Sequence, residues 1–391
     1  MVRFRPFALA AAFAFAASPA TAEIALTIGF LKHEEPAPPT LSNLDPIPED
    51  LGLAGARLGL ADVSKTGRFL GFDYDLSEAV VGEDEDPLTA AQTLLDESPL
   101  LVLDAPAATV AAIADLPEAA GALIFNAGAE DDALRGEACR VNVLHTAVSY
   151  AMRADALAQF MTKKRWTDWA LIVGEHPKDV AFAEALRRSG EKFRLDLVGE
   201  KTWAFDADMR RNAAQEVPLF TQDLGEHDVL VLADEIHDFG RYVLYNAWTP
   251  RPVAGSEGLT PAGWSGAVEQ WGAAQLQSRF RKLATRDMRA RDYAAWAAIA
   301  AIGEAAIREK TADAAALRAY MLGGAFELAG FKGRPLTFRA WNGQLRQPVP
   351  LTHPRALAAL APLEGFLHQR NELDTLGIDE AESACAAFAA E

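Results

Sequence analysis

Short runs rich in branched and aliphatic residues recur at 24–31, 100–103, 122–125, 169–173, 193–198 and 229–232, with longer segments of helical character between them. That alternation predicts parallel strands joined by helical crossovers, and the fold class is α/β. Helices fit the gaps at 151–162, 180–189 and 293–309, with Gly190 placed to stop the second. The Ala-rich third segment is apolar nearly all round, which predicts a buried helix; Glu304 and Arg308 interrupt it too soon for a membrane span.

Two polar stretches break the pattern. Pro36, Pro38, Pro39, Pro46 and Pro48 exclude regular helix or central strand between Lys32 and Asp50, so that segment is read as a loop at the mouth of the first strand. The run Glu83-Asp84-Glu85-Asp86 before Pro87 is read as a solvated loop, because the regular spacing of calcium ligands is missing.

The amino terminus has a separate logic. Arg3 and Arg5 precede an apolar run from Phe7 to Ala17 and the small-residue exit Ala20-Thr21-Ala22. This is the pattern of a secretory leader cleaved after Ala22, and the run is well short of the ~20 residues that span a bilayer. A free protein in a bacterial periplasm is expected, with no membrane anchor.

A chain of 391 residues exceeds the ~250–300 at which one core stops growing, so two lobes are expected. The formal charge of −18 makes nucleic acid and anionic membrane poor partners. A small anionic ligand is still allowed, since a local cluster of donors binds an anion inside an acidic protein. Cys139 and Cys385 are the only cysteines, and in an oxidising compartment they predict one disulfide tying the C-terminal tail to the middle of the chain. Two buried free thiols are the alternative.

Catalytic signatures are absent: there is no G-x-S-x-G, P-loop, H-E-x-x-H, C-x-x-C or dinucleotide fingerprint. Asp234, Glu235, His237 and Asp238 form a dense polar cluster past the 229–232 strand. It is read as a strand-end loop with a helix N-cap rather than as metal ligands or an acid–base pair. In open α/β sheets, ligands sit beyond the C-terminal ends of the strands. That rule collects Lys32, His33, residues 104–108 with Ala107, and Asn126-Ala127-Gly128-Ala129 from one half, and residues 174–179, Trp203, Asp234 and Glu235 from the other. The small residues let backbone N–H groups approach a ligand, Lys32, His145, His176 and Lys178 meet negative charge, and Trp203 covers a flat ring.

Several blocks in order carry a family resemblance. They are Ile28-Gly29-Phe30-Leu31, Gly52-Leu53-Ala54-Gly55-Ala56-Arg57-Leu58, residues 122–129, residues 169–174, Pro252 to Gly258, and Phe331 to Phe338 with Asn342-Gly343. Together they resemble type I periplasmic solute-binding proteins of ABC importers, in the branch similar to the leucine/isoleucine/valine-binding proteins. The resemblance implies two Rossmann-like lobes with parallel sheets, joined by a three-segment hinge that closes on a ligand. Its implied lobes are 23–141 with 271–345, and 142–270 with 346–391, with crossings near 140–142, 271–280 and 341–350. It also implies a monomer with no required cofactor that hands a small molecule to an ABC permease, and no enzymatic activity. Glu257 falls where the branch places the acid that meets a substrate ammonium, and Asn126 to Glu130 fall on the loop that meets the carboxylate. Asp179 and Glu235 stand where aromatic pocket residues are common.

A narrower resemblance runs through Thr66 to Gly71, Asn126 to Asp132, Cys139 to Thr146, Pro250 to Gly255, Glu269 to Gln277 and Trp341 to Pro348. These blocks are similar to the subfamily found with pyrroloquinoline quinone (PQQ)-dependent alcohol dehydrogenase systems. The resemblance implies PQQ as the bound ligand, with an amino acid or small organic acid as the alternative. Trp203, Trp264 and Trp271 would stack on the quinone, and Lys32, His145, His176, Lys178 and Arg251 would meet its three carboxylates. An enzyme of the alcohol-oxidation pathway using Asp234, Glu235 and His237, and a sensor module, are the other readings.

Overall fold

The computed structural model describes residues 24–36, 46–204 and 209–389. The leader with its cut after Ala22, and Pro38 and Pro39, lie outside the described residues. The first sheet takes β1 (Ile24–His33), β2 (Phe72–Val81), β3 (Leu100–Asp104), β4 (Leu123–Asn126) and β5 (Val143–His145), all parallel, in the order β2-β1-β3-β4-β5. Every residue of β3 and β4 is buried, which is why those strands read as unbroken apolar runs. Between them run α1 (Leu53–Leu70), α2 (Pro87–Glu97) and α3 (Ala107–Ala114). Asp86 accepts from the N–H groups of Leu88 and Thr89 at the start of α2, so the last carboxylate of the acidic run is a helix cap.

The second lobe holds α4 (Tyr150–Lys164), β6 (Asp168–Val173), α5 (Pro177–Phe193), β7 (Asp196–Thr202), α6 (Met209–Thr221), β8 (Val229–Ala233), α7 (Gly240–Val243), β9 (Val253–Gly255) and β10 (Thr260–Pro261). Its main sheet is parallel in the order β7-β6-β8-β9. Helix α5 does not stop at Gly190 but at Arg194, which takes the left-handed conformation. Gly190 instead lies against the Trp169 indole, where a Cβ would come within 3.0 Å of the ring. Residues 193–195 therefore belong to the helix end and turn, and the strand begins at Asp196.

The chain then returns to the first lobe for α8 (Ala273–Ala284), α9 (Ala290–Glu309), α10 (Ala314–Leu322), β11 (Leu328–Ala329), β12 (Pro335–Phe338) and β13 (Leu345–Arg346). It finishes with β14 (Val349–His353) and β15 (Ala356–Ala361), where β14 pairs with β10 of the second lobe. Helix α9 packs its alanine faces into the first core beside α1, and it is buried along most of its length. Among the described residues no helix is long and apolar enough to cross a membrane.

Three passages link the lobes. Strand β5 pairs with β4, so residues 143–145 stay in the first lobe and the first passage lies past His145 rather than at 140–142. Trp264 and Val268 already belong to the first core, so the second passage lies before them rather than at 271–280. The third runs from β13 to β14. The tail then bridges back: Leu376 is in the second core, whereas Cys385 and Phe388 are in the first. Cys139 and Cys385 form the disulfide, with their Cα atoms 5.6 Å apart.

Candidate functional site

The parallel topology brings the C-terminal strand ends of both sheets to a cleft crossed by ion pairs from both sides. From the second lobe, Arg153 on α4 donates to Glu235 at the end of β8 in a fork (2.5 and 2.9 Å), and to Glu130 of the first lobe at 2.5 Å. Its Nε donates to the Pro261 carbonyl, and its guanidinium lies 4.4 Å from the centre of the Phe182 ring. Ser256, at the end of β9, donates its hydroxyl to Glu235. Burial pushes the Glu130 carboxyl up, and Arg153 pulls it back only part of the way. Burial acts on Glu235 too, but Arg153 and Ser256 more than offset it and leave Glu235 below the ordinary glutamate value.

At the cleft mouth Glu35, just past β1, accepts from Lys178 of the second lobe at 2.7 Å and from Arg291 of the first at 3.0 Å. Against its burial, those two cations hold Glu35 below its usual range. Arg291 also reaches Asp104 at the end of β3, 3.4 Å away. Asp104 is buried and its carboxyl is pushed up, by burial first and against Arg291 and Lys32. A third bridge, Arg188 to Asp132, links the lobes near the surface.

Most residues expected to face a ligand are engaged with the protein itself. Lys32 donates to the Glu49 carbonyl and pairs with Glu34, and His33 Nδ1 meets the Thr109 hydroxyl. Ala107 begins α3 at the rim. Asn126 is fully buried: its oxygen accepts from Gly128 and Ala129 N–H, and its amide donates to the Ala129 carbonyl and meets His145. Ala127 lies in the first core, and the open side of Gly128 faces Ala105 and Asp104, so the tight approach there is of loop to loop. Burial, then Arg135, keep the His145 ring well below the ordinary histidine value and hence neutral. His176 caps α5 by accepting from Lys178 N–H, and burial followed by Lys178 lowers it also.

Asp234 accepts from the N–H groups of Asp238, Phe239 and Gly240, the helix-cap role expected of that cluster. His237 pairs with Glu257 at 3.2 Å, so Glu257 holds a histidine of its own lobe. Trp203 stacks on Phe239 at 4.7 Å, and Trp264 stacks on Tyr293 in the first core, with its N–H donated to Gln277. Trp271 is half-exposed and lies against Gly333, and Arg251 pairs with Glu226 at the surface. Several unengaged cations around an open aromatic face, which a flat trianion needs, are not found among these residues. Nor, among the described residues, is there a group of three or more histidine, cysteine, aspartate or glutamate side chains able to hold a metal.

The residues that sequence reasoning missed are Arg153, Arg291 and Glu35. Arg153 carried a usable signal, because α4 is buried on nearly every face and a charged side chain inside such a helix must find partners. Two cavities adjoin the cleft. A void of about 10 Å³, the size of one water, is lined by Gly128, Glu130, Val148, Arg291 and Tyr293. A pocket of about 400 Å³ opens between His176, Asp179, Trp203 and Phe239.

Asp179 gives the site a pH dependence. It accepts N–H groups from Glu235 and His176, yet burial, joined by Asp234 and Glu235, pushes its carboxyl up to about 7. Between about pH 4 and 7 the folded protein therefore holds a proton that the unfolded chain has lost, and raising pH across that window removes stability. The advantage of the wild type over Asp179→Asn should shrink from pH 4.5 to 7.5 in urea melts; parallel behaviour of the two proteins would refute this.

Residues 48–217 match the family model described as periplasmic binding protein. A branched chain amino acid ABC transporter periplasmic ligand-binding protein from Burkholderia xenovorans LB400 superposes with a TM-score of 0.71 at 16% identity, covering 93% of this chain and 100% of that one. A solute-binding protein from R. palustris in complex with benzoate has a TM-score of 0.62 at 14% identity, covering 93% and 99%. The branched-chain amino acid transporter substrate binding protein LivJ from Streptococcus pneumoniae, in complex with isoleucine, has a TM-score of 0.63 at 14% identity, covering 86% and 98%. No curated protein matches the chain. The fold is that of periplasmic binding proteins of type I.

Proposed function

We propose that this chain, built on the periplasmic binding protein type I fold, is the exported solute-binding protein of an ABC importer, which captures one small solute between its lobes for a membrane permease. The observation that carries the reading is the cleft itself, where strand ends of two lobes linked by three passages meet through ion pairs. The protein acts as a monomer and without catalysis: Asp234, Glu235 and His237, the best acid–base candidates, are spent on a helix cap, an arginine and a glutamate. Proteins of similar fold carry leucine, isoleucine or benzoate.

A solute that binds the closed form raises stability by mass action, about 2.7 kcal/mol at a hundredfold excess over its Kd. Thermal melts and small-angle scattering with amino acids, small carboxylates and PQQ test the reading. At least one small solute should raise Tm and compact the protein, and a molecule indifferent to all of them would overturn it. PQQ is expected to give no response, because Lys32, Lys178 and Arg291, the cations that its carboxylates would seek, already hold carboxylates of the protein.

A further inference from the structure

We infer that Arg153 is a built-in occupant of the cleft's cation site, so that the solute is a small monocarboxylate with no ammonium group, whose carboxylate takes the place of Glu35 between Lys178 and Arg291. The inference rests on the solute-binding reading above and names the solute class of that cleft.

The surroundings of Arg153 are those a cationic ligand would be given. Its guanidinium is gripped by one carboxylate from each lobe, Glu235 and Glu130, and rests on the Phe182 ring. Its third nitrogen is held by the Pro261 carbonyl, at the end of the second lobe's chain before it crosses back. The residue is 7% exposed. A solute ammonium seeking Glu235 or Glu130 would have to displace a tethered, desolvated and bidentate arginine, which a free amine competes with poorly.

Glu35 occupies the complementary place on easier terms. Its carboxylate joins a cation from each lobe, as a solute carboxylate would, but its side chain is 22% exposed and those of Lys178 and Arg291 are 31% and 34% exposed. These contacts are partly buried and keep more solvent around them than the Arg153 fork does, so exchanging one carboxylate for another costs less here than at Arg153. Beside it, Ala127, Val148, Tyr293 and Ala294 line one side of the water-sized void that Glu130 and Arg291 also border, and they mark where a short apolar body would lie.

The test compares 4-methylpentanoate with leucine, which differ only by the amino group, by calorimetric titration of the whole mature protein. The wild type should bind 4-methylpentanoate at least tenfold more tightly than leucine, and Lys178→Ala, which removes one of the two cations around Glu35, should weaken 4-methylpentanoate at least tenfold. Arg153→Ala should empty the cation site, so that millimolar ethylguanidinium raises the Tm of this variant and leaves that of the wild type unchanged. Leucine binding more tightly than 4-methylpentanoate, or Lys178→Ala binding 4-methylpentanoate as the wild type does, would overturn the inference even if Arg153→Ala does not fold. Those outcomes leave the solute-binding reading standing, whereas silence toward every solute overturns that reading and this inference with it.

Discussion

Replacing Asp374 by alanine should destabilise the protein by about 3–5 kcal/mol, because it removes the carboxylate to which both Arg339 and Arg346 are hydrogen-bonded. Asp374 is buried, and one of its oxygens accepts from Arg339 Nε at 2.9 Å and from Arg346 Nε at 2.7 Å. Arg339 is 1% exposed; its remaining donors go to the carbonyls of Leu373, Leu376 and Ile378, which orders the tail around it. Both guanidiniums also lie over the Trp341 ring. Without the carboxylate the charge of Arg339 is desolvated and left to carbonyl dipoles, the Trp341 ring and the more distant Asp379. Asp374→Asn keeps an acceptor oxygen and should cost less. Guanidinium-induced unfolding would rank the three proteins as wild type, Asn and Ala in falling stability; an alanine variant within about 1 kcal/mol of wild type would show that the tail reorganises to solvate Arg339.

The strands that could be read from sequence are those buried on both faces. β1, β3, β4, β6 and β8 announce themselves as apolar runs because helices cover each side of a parallel sheet. β2 escaped notice because it is an edge strand: Asp73, Asp75 and Glu78 interrupt its apolar positions, and the pattern FDYDLSEAVV resembles a polar loop. β5 and β9 have three residues each, too few for any periodicity to show. Gly190 misled because a glycine near a helix end has two physical uses, the left-handed cap and close packing, and only the neighbouring Trp169 decides between them.

Of the residues that the strand-end rule collected, Lys178 and Glu235 take part in the ion-pair networks between the lobes, whereas Lys32, Asp104, Asn126 and Asp234 are bonded within their own lobe. What a sequence withholds is the partner of each charge. Arg153 and Glu235 are 82 positions apart, and Glu35 and Arg291 are 256 apart. Net charge also hid the balance, because an acidic total says nothing about whether a given lysine is unengaged or, like Lys178, already holds a carboxylate.

Breaking the Cys139–Cys385 bond should lower stability by roughly 2–5 kcal/mol, since it closes a loop of 246 residues and much of its effect is to restrict the unfolded chain. It should also loosen the cleft. The tail is held to the second lobe where Gly377 N–H donates to Asp155 and its carbonyl accepts from Lys192. Past that point it reaches the first lobe, where Cys385 is bonded and Phe388 packs close to Gly343, just before β13 and the third passage. The segment from Gly377 to Cys385 is therefore a strap fastened to both lobes, and the disulfide is its covalent end. A Cys139→Ser/Cys385→Ser protein should melt several degrees lower, and in the absence of solute it should have a larger radius of gyration by X-ray scattering. Unchanged melting would remove the stabilising role, and unchanged scattering and ligand kinetics would remove the strap. A lower Tm with an unchanged radius would confine the bond to its effect on the unfolded chain, leaving Asp155 and Asp374 to hold the tail in place.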